Sequence, residues 1–362
     1  WELSPDDHIL DPFAGAGTTL LAAKEKGVPA TGYDLSPLAV LASRVKLRDY
    51  DPARLEEAWK CLKEDLRPGS WDGPARTYPE LVQKALPGKL LGAFDAASRS
   101  IANLAAAQPE RDFLRLALLT TLPEYSRLVA TGGWLKWVKK TKRATSIPGA
   151  LQARVSLMLS DLKERKRCPG SHWRVDLADA RKLPSEDSRF SAVITSPPYP
   201  NRHDYTRVFG VELMFGFLDW EKTRELRYQS FHSHPEARPE RPDADGYTPP
   251  AQLAKVLRRI VRTKPDPRVP RMIEGYFLDM YLSLQEVARV CKPGARVAFV
   301  VGNAQYYGVA VLVDELTAEV GEQTGLRCEK LVAVRYRGNS AQQMGQHGRN
   351  PSRESVVIFS RP

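Results

Sequence analysis

Apolar residues fall along this chain in two alternating patterns, short continuous runs and helical spacings. Ile9 and Leu10 make a short run that opens into a glycine-rich turn. Over residues 18–26, Leu20, Leu21 and Ala23 share one side of a helix, and Gly27 ends it. Residues 30–33 read as a second strand, closed by Asp34, and residues 37–48 as a second helix with Pro37 in its first turn, where a missing N–H costs nothing. Strand, helix, strand, helix with short links predicts the start of a doubly wound, mostly parallel α/β sheet.

The pattern then breaks. Residues 51–171 carry almost no strand signal, and Ala, Leu, Glu and Lys at helical spacing predict a helical insertion. The sheet resumes at 173–176 and again at 190–195, followed by a helix over 207–218. Residues 219–271 are rich in Pro, Arg, His and Asp and read mostly as loop, with a basic stripe of Lys255, Arg258, Arg259 and Arg262. A helix over 275–291, a turn at 292–294, an apolar strand over 295–301 and a helix over 309–322 follow. Segments 330–335 and 355–359 predict a closing antiparallel hairpin. The expected organisation is an α/β domain made of residues 1–50, 172–218 and 272–362, interrupted by insertions at 51–171 and 219–271.

The chain has 362 residues, of which 42% are apolar, and no apolar run approaches the length of a membrane span. The net charge of +11 points to a polyanionic partner, although a merely basic surface would give the same balance. Cys61, Cys168, Cys291 and Cys328 are scattered without a paired spacing, which fits a reducing cytoplasm and argues against zinc and against disulfides. None follows a proline, so a cysteine that attacks a pyrimidine ring is not indicated. His232 and His234 have no cysteine or third histidine beside them, and no metal is expected.

Two stretches carry candidate chemistry. The run at 190–194 leads into Thr195-Ser196-Pro197-Pro198-Tyr199. The two prolines forbid helix and leave carbonyls facing outward beside a hydroxyl and an aromatic ring. Such a stiff cup suits a flat polar group that offers an amino group to oxygen acceptors and a face to the ring. Pro-Pro is also common in plain surface turns. The second stretch is Asp11-Pro12-Phe13-Ala14-Gly15-Ala16-Gly17-Thr18-Thr19, with Asp34 beyond it. Gly15 and Gly17 let backbone approach a ligand, but the third glycine of a dinucleotide loop is absent. Asp11 suits an ammonium group better than a phosphate, which favours S-adenosylmethionine over NAD.

Together the two stretches resemble the S-adenosylmethionine-dependent, amino-methylating DNA methyltransferases. The resemblance covers the motifs and the strand-helix order around them, and does not cover the insertions. It implies a methyltransferase-type sheet, with Asp11, Phe13, Ala14, Gly15, Gly17, Thr18, Asp34, Leu35, Asp179 and Ala180 around the cofactor. Within that set it puts Asp34 at the ribose hydroxyls, Asp179 at the adenine amino group and Phe13 against the cofactor. It also implies Ser196, Pro197, Pro198 and Tyr199 around a base flipped from double-stranded DNA. In that family the Ser form of the motif is most associated with cytosine N4, and adenine N6 is the alternative. Methylation of an RNA base or a protein glutamine, and an inactive nucleic-acid-binding module, are the other readings. A cognate restriction endonuclease and a prokaryotic, nucleoid-associated location go with the family. Members usually carry a further cofactor-contacting segment upstream of the glycine loop, where this sequence shows residues 1–10.

Several polar clusters are candidates for nucleic-acid contact. Lys136, Lys139, Lys140, Lys142 and Arg143 interleave with Trp134 and Trp137, and Lys163, Arg165, Lys166 and Arg167 follow. Cations beside aromatics suit a phosphate backbone with unstacked bases, while a solvated helix face is the plain alternative. Asn201 and Arg202 directly follow the Ser-Pro-Pro-Tyr stretch. Arg337, Gln342 and Gln343 lie in the connection of the last hairpin, and Arg, Asn and Gln are the side chains that read base edges.

Overall fold

A computed structural model describes residues 1–66, 74–131, 134–139, 146–164, 168, 172–240, 244–264, 266–337 and 352–362. In chain order the elements are β1 (Ile9–Asp11), α1 (Thr18–Glu25), β2 (Ala30–Asp34), α2 (Pro37–Leu47), α3 (Pro52–Asp65), α4 (Glu80–Ala85), α5 (Lys89–Asn103) and α6 (Gln108–Tyr125). Then come β3 (Leu128–Thr131), β4 (Trp134–Trp137), α7 (Ile147–Glu164), β5 (Trp173–Leu177), β6 (Phe190–Thr195), α8 (Tyr205–Val208), α9 (Gly210–Gly216), α10 (Trp220–Gln229), α11 (Ala251–Arg262) and α12 (Arg268–Val290). The chain closes with β7 (Cys291–Gly302), β8 (Ala304–Tyr306), β9 (Val309–Val311), α13 (Val313–Glu322), β10 (Arg327–Arg337) and β11 (Ser352–Ser360). The chain divides into two compact units, one of Trp1–Ser36, Gly170–Asp204 and Arg227–Pro362, the other of Pro37–Pro169 and Tyr205–Leu226.

The first unit is built on a seven-stranded sheet in the order β10-β11-β7-β6-β1-β2-β5. Pairs β1–β2, β2–β5, β1–β6 and β6–β7 are parallel, while β11 runs antiparallel to both β7 and β10. This is the mostly parallel, doubly wound α/β sheet with a C-terminal antiparallel pair that the sequence predicts. The chain winds outward from β1 through β2 to β5, then returns to the other side of β1 as β6. That reversal is the topological switch point where open α/β sheets bind ligands, beyond the carboxyl ends of the strands. The two strands that meet there end at Asp11 and Thr195.

Both faces of the sheet are covered near the switch point. A Cβ placed on Gly32 of β2 would lie 2.9 Å from the Leu20 methyls of α1. The next residue, Tyr33, points to the opposite face and joins the core formed with Tyr276 and Phe277 of α12. Helix α12 buries Met272, Ile273, Tyr276, Phe277, Met280, Leu284 and Val287, a stripe at the three-and-four spacing of an amphipathic helix.

The second unit has its own core around Trp59, Phe94, Phe113, Leu118 and Leu122. It is helical as expected, apart from an antiparallel hairpin of β3 and β4 that the helical reading of 51–171 did not include. Lys136 and Trp137 therefore stand on a strand, not on a helix face. Other elements also differ from expectation. The helix expected over 207–218 is two short helices, and the described part of 219–271 is not mostly loop but about half helix, since it contains α10, α11 and the start of α12. The helix expected from 309 starts at Val313, after a β8–β9 hairpin whose turn has Tyr307 and Gly308 both at positive φ. No described helix is long and apolar enough to cross a membrane.

Candidate active site

The glycine loop leaves β1 at Asp11 and enters α1 at Thr18. Gly15 (φ 51°) and Gly17 (φ 75°) both sit in the left-handed region, which explains glycine at these two positions. The loop is fixed by its neighbours. Ala14 N donates to Tyr33 O at 2.8 Å and Gly17 N to Ala14 O at 2.7 Å. Gly15 N donates to Asp34 Oδ2 at 2.9 Å, and Ser36 N to Asp34 Oδ1 at 2.8 Å. Asp34 therefore holds the loop, and its carboxylate retains lone pairs for a ligand, since each oxygen can accept twice. Burial raises its pKa, while the two backbone N–H groups pull it down.

Asp11 is buried, and its Oδ1 accepts from Thr195 Oγ1 at 2.6 Å and from Phe13 N at 3.2 Å. Desolvation pushes its pKa up to about 6, against hydrogen bonds from Thr195, Thr19 and Phe13. The Thr195 bond ties the glycine loop to the strand that delivers Ser196. Among the other residues expected around a cofactor, Thr18 is exposed at the first turn of α1, Leu35 is half-buried and Ala180 is buried. Phe13 meets Phe231 edge-on, with ring centroids 5.5 Å apart.

Asp179 belongs to a buried ionic cluster. Its carboxylate takes Arg181 in a fork, Nε to Oδ1 at 2.9 Å and NH2 to Oδ2 at 2.6 Å. Arg181, 2% exposed, also donates to Asp279 Oδ1 at 3.1 Å and to Gln229 O at 2.6 Å. His232 N and Nδ1 both lie 2.8 Å from Asp279 Oδ2. The sequence reading missed Asp279, although an aspartate on the buried stripe of α12 was a signal.

Beyond β6, Ser196 is exposed, Pro197 is buried, and Pro198 and Tyr199 are half-buried. The Tyr199 ring lies on the backbone of Gly302, where an added Cβ would come within 2.9 Å of it. Tyr199 Oη donates to Glu354 Oε1 at 2.7 Å, and Glu354 also pairs with Arg335. Ser196 Oγ lies 3.5 Å from Tyr199 Oη and 3.4 Å from Val300 O. The following loop is clamped on several sides. Tyr306 donates to Pro200 O, Arg202 N donates to Ser233 O at 2.8 Å, and His203 N donates to Asn201 Oδ1 at 3.0 Å. Arg202 has φ 66°, an uncommon backbone for a residue other than glycine. Asn201 and Arg202 thus stand directly beside the Ser196–Tyr199 stretch.

The other expected nucleic-acid residues are more scattered. Lys136 and Lys139 are exposed in the second unit, next to Trp137, which is 50% exposed. Lys140, Lys142, Arg143, Gln342 and Gln343 lie outside the described residues, as does the side chain of Arg337. Asp204, His234 and Glu236 offer ligand atoms within 4.8 Å of one another. Arg227 Nε lies 2.9 Å from Asp204, and Arg268 pairs with Glu236, so two cations already balance the two carboxylates there. Cys291 is buried with its pKa pushed up to about 12, far from a reactive thiolate.

No family model matches the chain. The type II methyltransferase M.BsoBI of Geobacillus stearothermophilus is 28% identical over 414 aligned residues, covering 99% of this chain and 81% of that protein. The type II methyltransferase M.AvaI of Nostoc sp. is 28% identical over 400, covering 100% and 82%. The chain is thus similar to type II methyltransferases over nearly its whole length. A shorter match, 45% identical over 51 residues, joins 14% of the chain to M.MjaII of Methanocaldococcus jannaschii. A SAM-dependent methyltransferase from Methanosarcina mazei overlaps with a TM-score of 0.34 at 11% identity, covering 99% of this chain and 94% of that one, too low to add to the sheet order above.

Proposed function

We propose that the chain is a DNA methyltransferase that moves a methyl group from S-adenosylmethionine to the exocyclic N4 of a flipped cytosine. The observation that carries this reading is the 2.6 Å bond between Asp11 and Thr195 at the switch point of the sheet. It sets the glycine loop and the Ser-Pro-Pro-Tyr stretch side by side on adjacent parallel strands. The similarity to type II methyltransferases supports the same reading.

The residues present fit a nucleoside that carries an amino acid. Two left-handed glycines give close backbone approach just before the start of α1. Asp11 and Asp34 offer carboxylates to an ammonium group and to ribose hydroxyls, and Phe13 and Leu35 offer apolar surface. When bound, S-adenosylmethionine supplies a methyl group on a cationic sulfur.

The protein's part is positioning and electrostatics. Attack by the amino nitrogen of the base on that methyl group would return the carbon–sulfur electron pair to sulfur and release one amino proton to water. The lone pair needed is delocalised into the ring. Acceptors at Ser196 Oγ and the Pro197 carbonyl hold the amino hydrogens and free it, while Tyr199 stacks on the base. Flipping costs a few kcal/mol, and stacking on an aromatic ring returns roughly 1–3 kcal/mol. Basic contacts from Arg202, Lys136 and Lys139 supply part of the rest.

The test is incubation with duplex DNA and cofactor, digestion to nucleosides and mass spectrometry. N4-methylcytosine is expected. N6-methyladenine alone would move the target while leaving the mechanism, and 5-methylcytosine would refute both.

A further inference from the structure

Ser196 carries a hydroxyl, which can donate as well as accept. Only acceptance helps an amino nitrogen free its lone pair, so the direction of the Ser196 proton matters. Its surroundings set that direction. Among the described residues, the groups hydrogen-bonded to Ser196 Oγ are the Val300 carbonyl at 3.4 Å and Tyr199 Oη at 3.5 Å. A carbonyl can only accept. Tyr199 has one proton, and gives it to Glu354 Oε1 at 2.7 Å. Toward Ser196 it therefore also presents only lone pairs. Burial raises the Tyr199 pKa, which keeps that proton in place at neutral pH.

Glu354 is 5% exposed on β11, held between Tyr199 and its cross-strand partner Arg335 on β10. Both neighbours of Ser196 thus call for its proton and neither competes for its lone pairs. Those lone pairs are left for the open side of an exposed residue.

We infer that Glu354 is a positioning residue for methyl transfer, which acts through Tyr199 to commit the Ser196 hydroxyl to accepting the amino hydrogens of the base. The inference rests on the proposed role of Ser196 as that acceptor. Glu354 supplies through two hydroxyls the acceptor bias that a carboxylate at the strand end would supply directly. No sequence motif marks it, since it lies 155 residues from Tyr199.

Glu354→Gln tests this, because the amide can donate to Tyr199 Oη and so let Tyr199 donate to Ser196. Single-turnover methyl transfer to duplex DNA should slow by roughly 10- to 100-fold, the scale of one weakened transition-state hydrogen bond. Dissociation constants for DNA and cofactor should stay within about threefold, and Tyr199→Phe should act in the same way. On a Ser196→Ala background neither substitution should cost more than about twofold, because the group they orient is gone. A merely structural Glu354 would lower the rate equally on both backgrounds, and that result overturns the inference. So does a Glu354→Gln rate within twofold of wild type. If Glu354→Gln loses cofactor affinity through misfolding, the Tyr199→Phe and Ser196→Ala cycle decides alone. Wild-type speed in Ser196→Ala would refute the proposed pocket itself, and the inference with it.

Discussion

Asp11→Asn is expected to stabilise the protein near neutral pH while weakening its cofactor binding. The wild-type carboxyl has its pKa pushed up to about 6 by burial, and the nearby Asp34 charge adds to that. In an unfolded chain an aspartate titrates near ~3.9. Between those values the folded protein holds a proton that the unfolded chain has released. Stability from Asp11 is therefore complete below the unfolded value and is lost as pH rises through about 6. The gap between the two values corresponds to roughly 3 kcal/mol, an upper figure for keeping Asp11 ionised at neutral pH. Asparagine keeps an oxygen for Thr195 Oγ1 and Phe13 N, and carries no charge. Urea denaturation without cofactor should thus give a variant close to wild type at about pH 4.5, and more stable by about 1–3 kcal/mol at about pH 7.5. Wild-type affinity for S-adenosylmethionine should rise across the same window, as the ionised carboxylate becomes available to an ammonium group. The variant should show no such rise. A variant that trails wild type by the same amount at both pH values would refute the assignment of that buried charge.

Other substitutions probe the rest of the site. Arg181→Leu removes the cation between Asp179 and Asp279, and should destabilise the fold by about 3–5 kcal/mol in denaturant titration, since buried carboxylates are left unpaired. Gly302→Ala places a methyl 2.9 Å from Tyr199, so the ring must shift. A stability loss of about 1–3 kcal/mol is expected, and the methylation rate should fall while cofactor affinity holds. Lys136→Ala with Lys139→Ala should flatten the dependence of log K on log[salt] for DNA binding by about 0.9 per lost phosphate contact, and an unchanged slope would assign both lysines to solvent.

Local patterns in the sequence revealed the sheet and both motifs, because each depends on neighbours in the chain. Glycines at 15 and 17 are demanded by their own φ angles, and the apolar runs of β6 and β7 by burial on both faces. The β3–β4 hairpin was also signalled, by Gly132-Gly133 between two apolar runs, but the helical composition around it hid the change of period. What no local pattern carries is the pairing of charges across long stretches of chain. Arg181 finds Asp279 at a separation of 98 residues, and nothing near either residue in the chain names the other as its partner.

The stretch from the end of α10 makes long-range contacts of the same kind. By composition residues 219–271 read mostly as loop, and the connection of this stretch to the sheet was invisible. In the structure Phe231 packs on Phe13 of the glycine loop, Gln229 O takes the guanidinium that holds Asp179, and Ser233 O takes the N–H of Arg202. His232 adds two bonds to Asp279 behind them. Residues 229–233 therefore touch the glycine loop, the turn at Asp179 and the loop after Ser-Pro-Pro-Tyr at once. A segment with those three contacts is part of the wall of the candidate site. Those contacts account for Phe231 and His232 as packing and hydrogen-bonding groups of the fold.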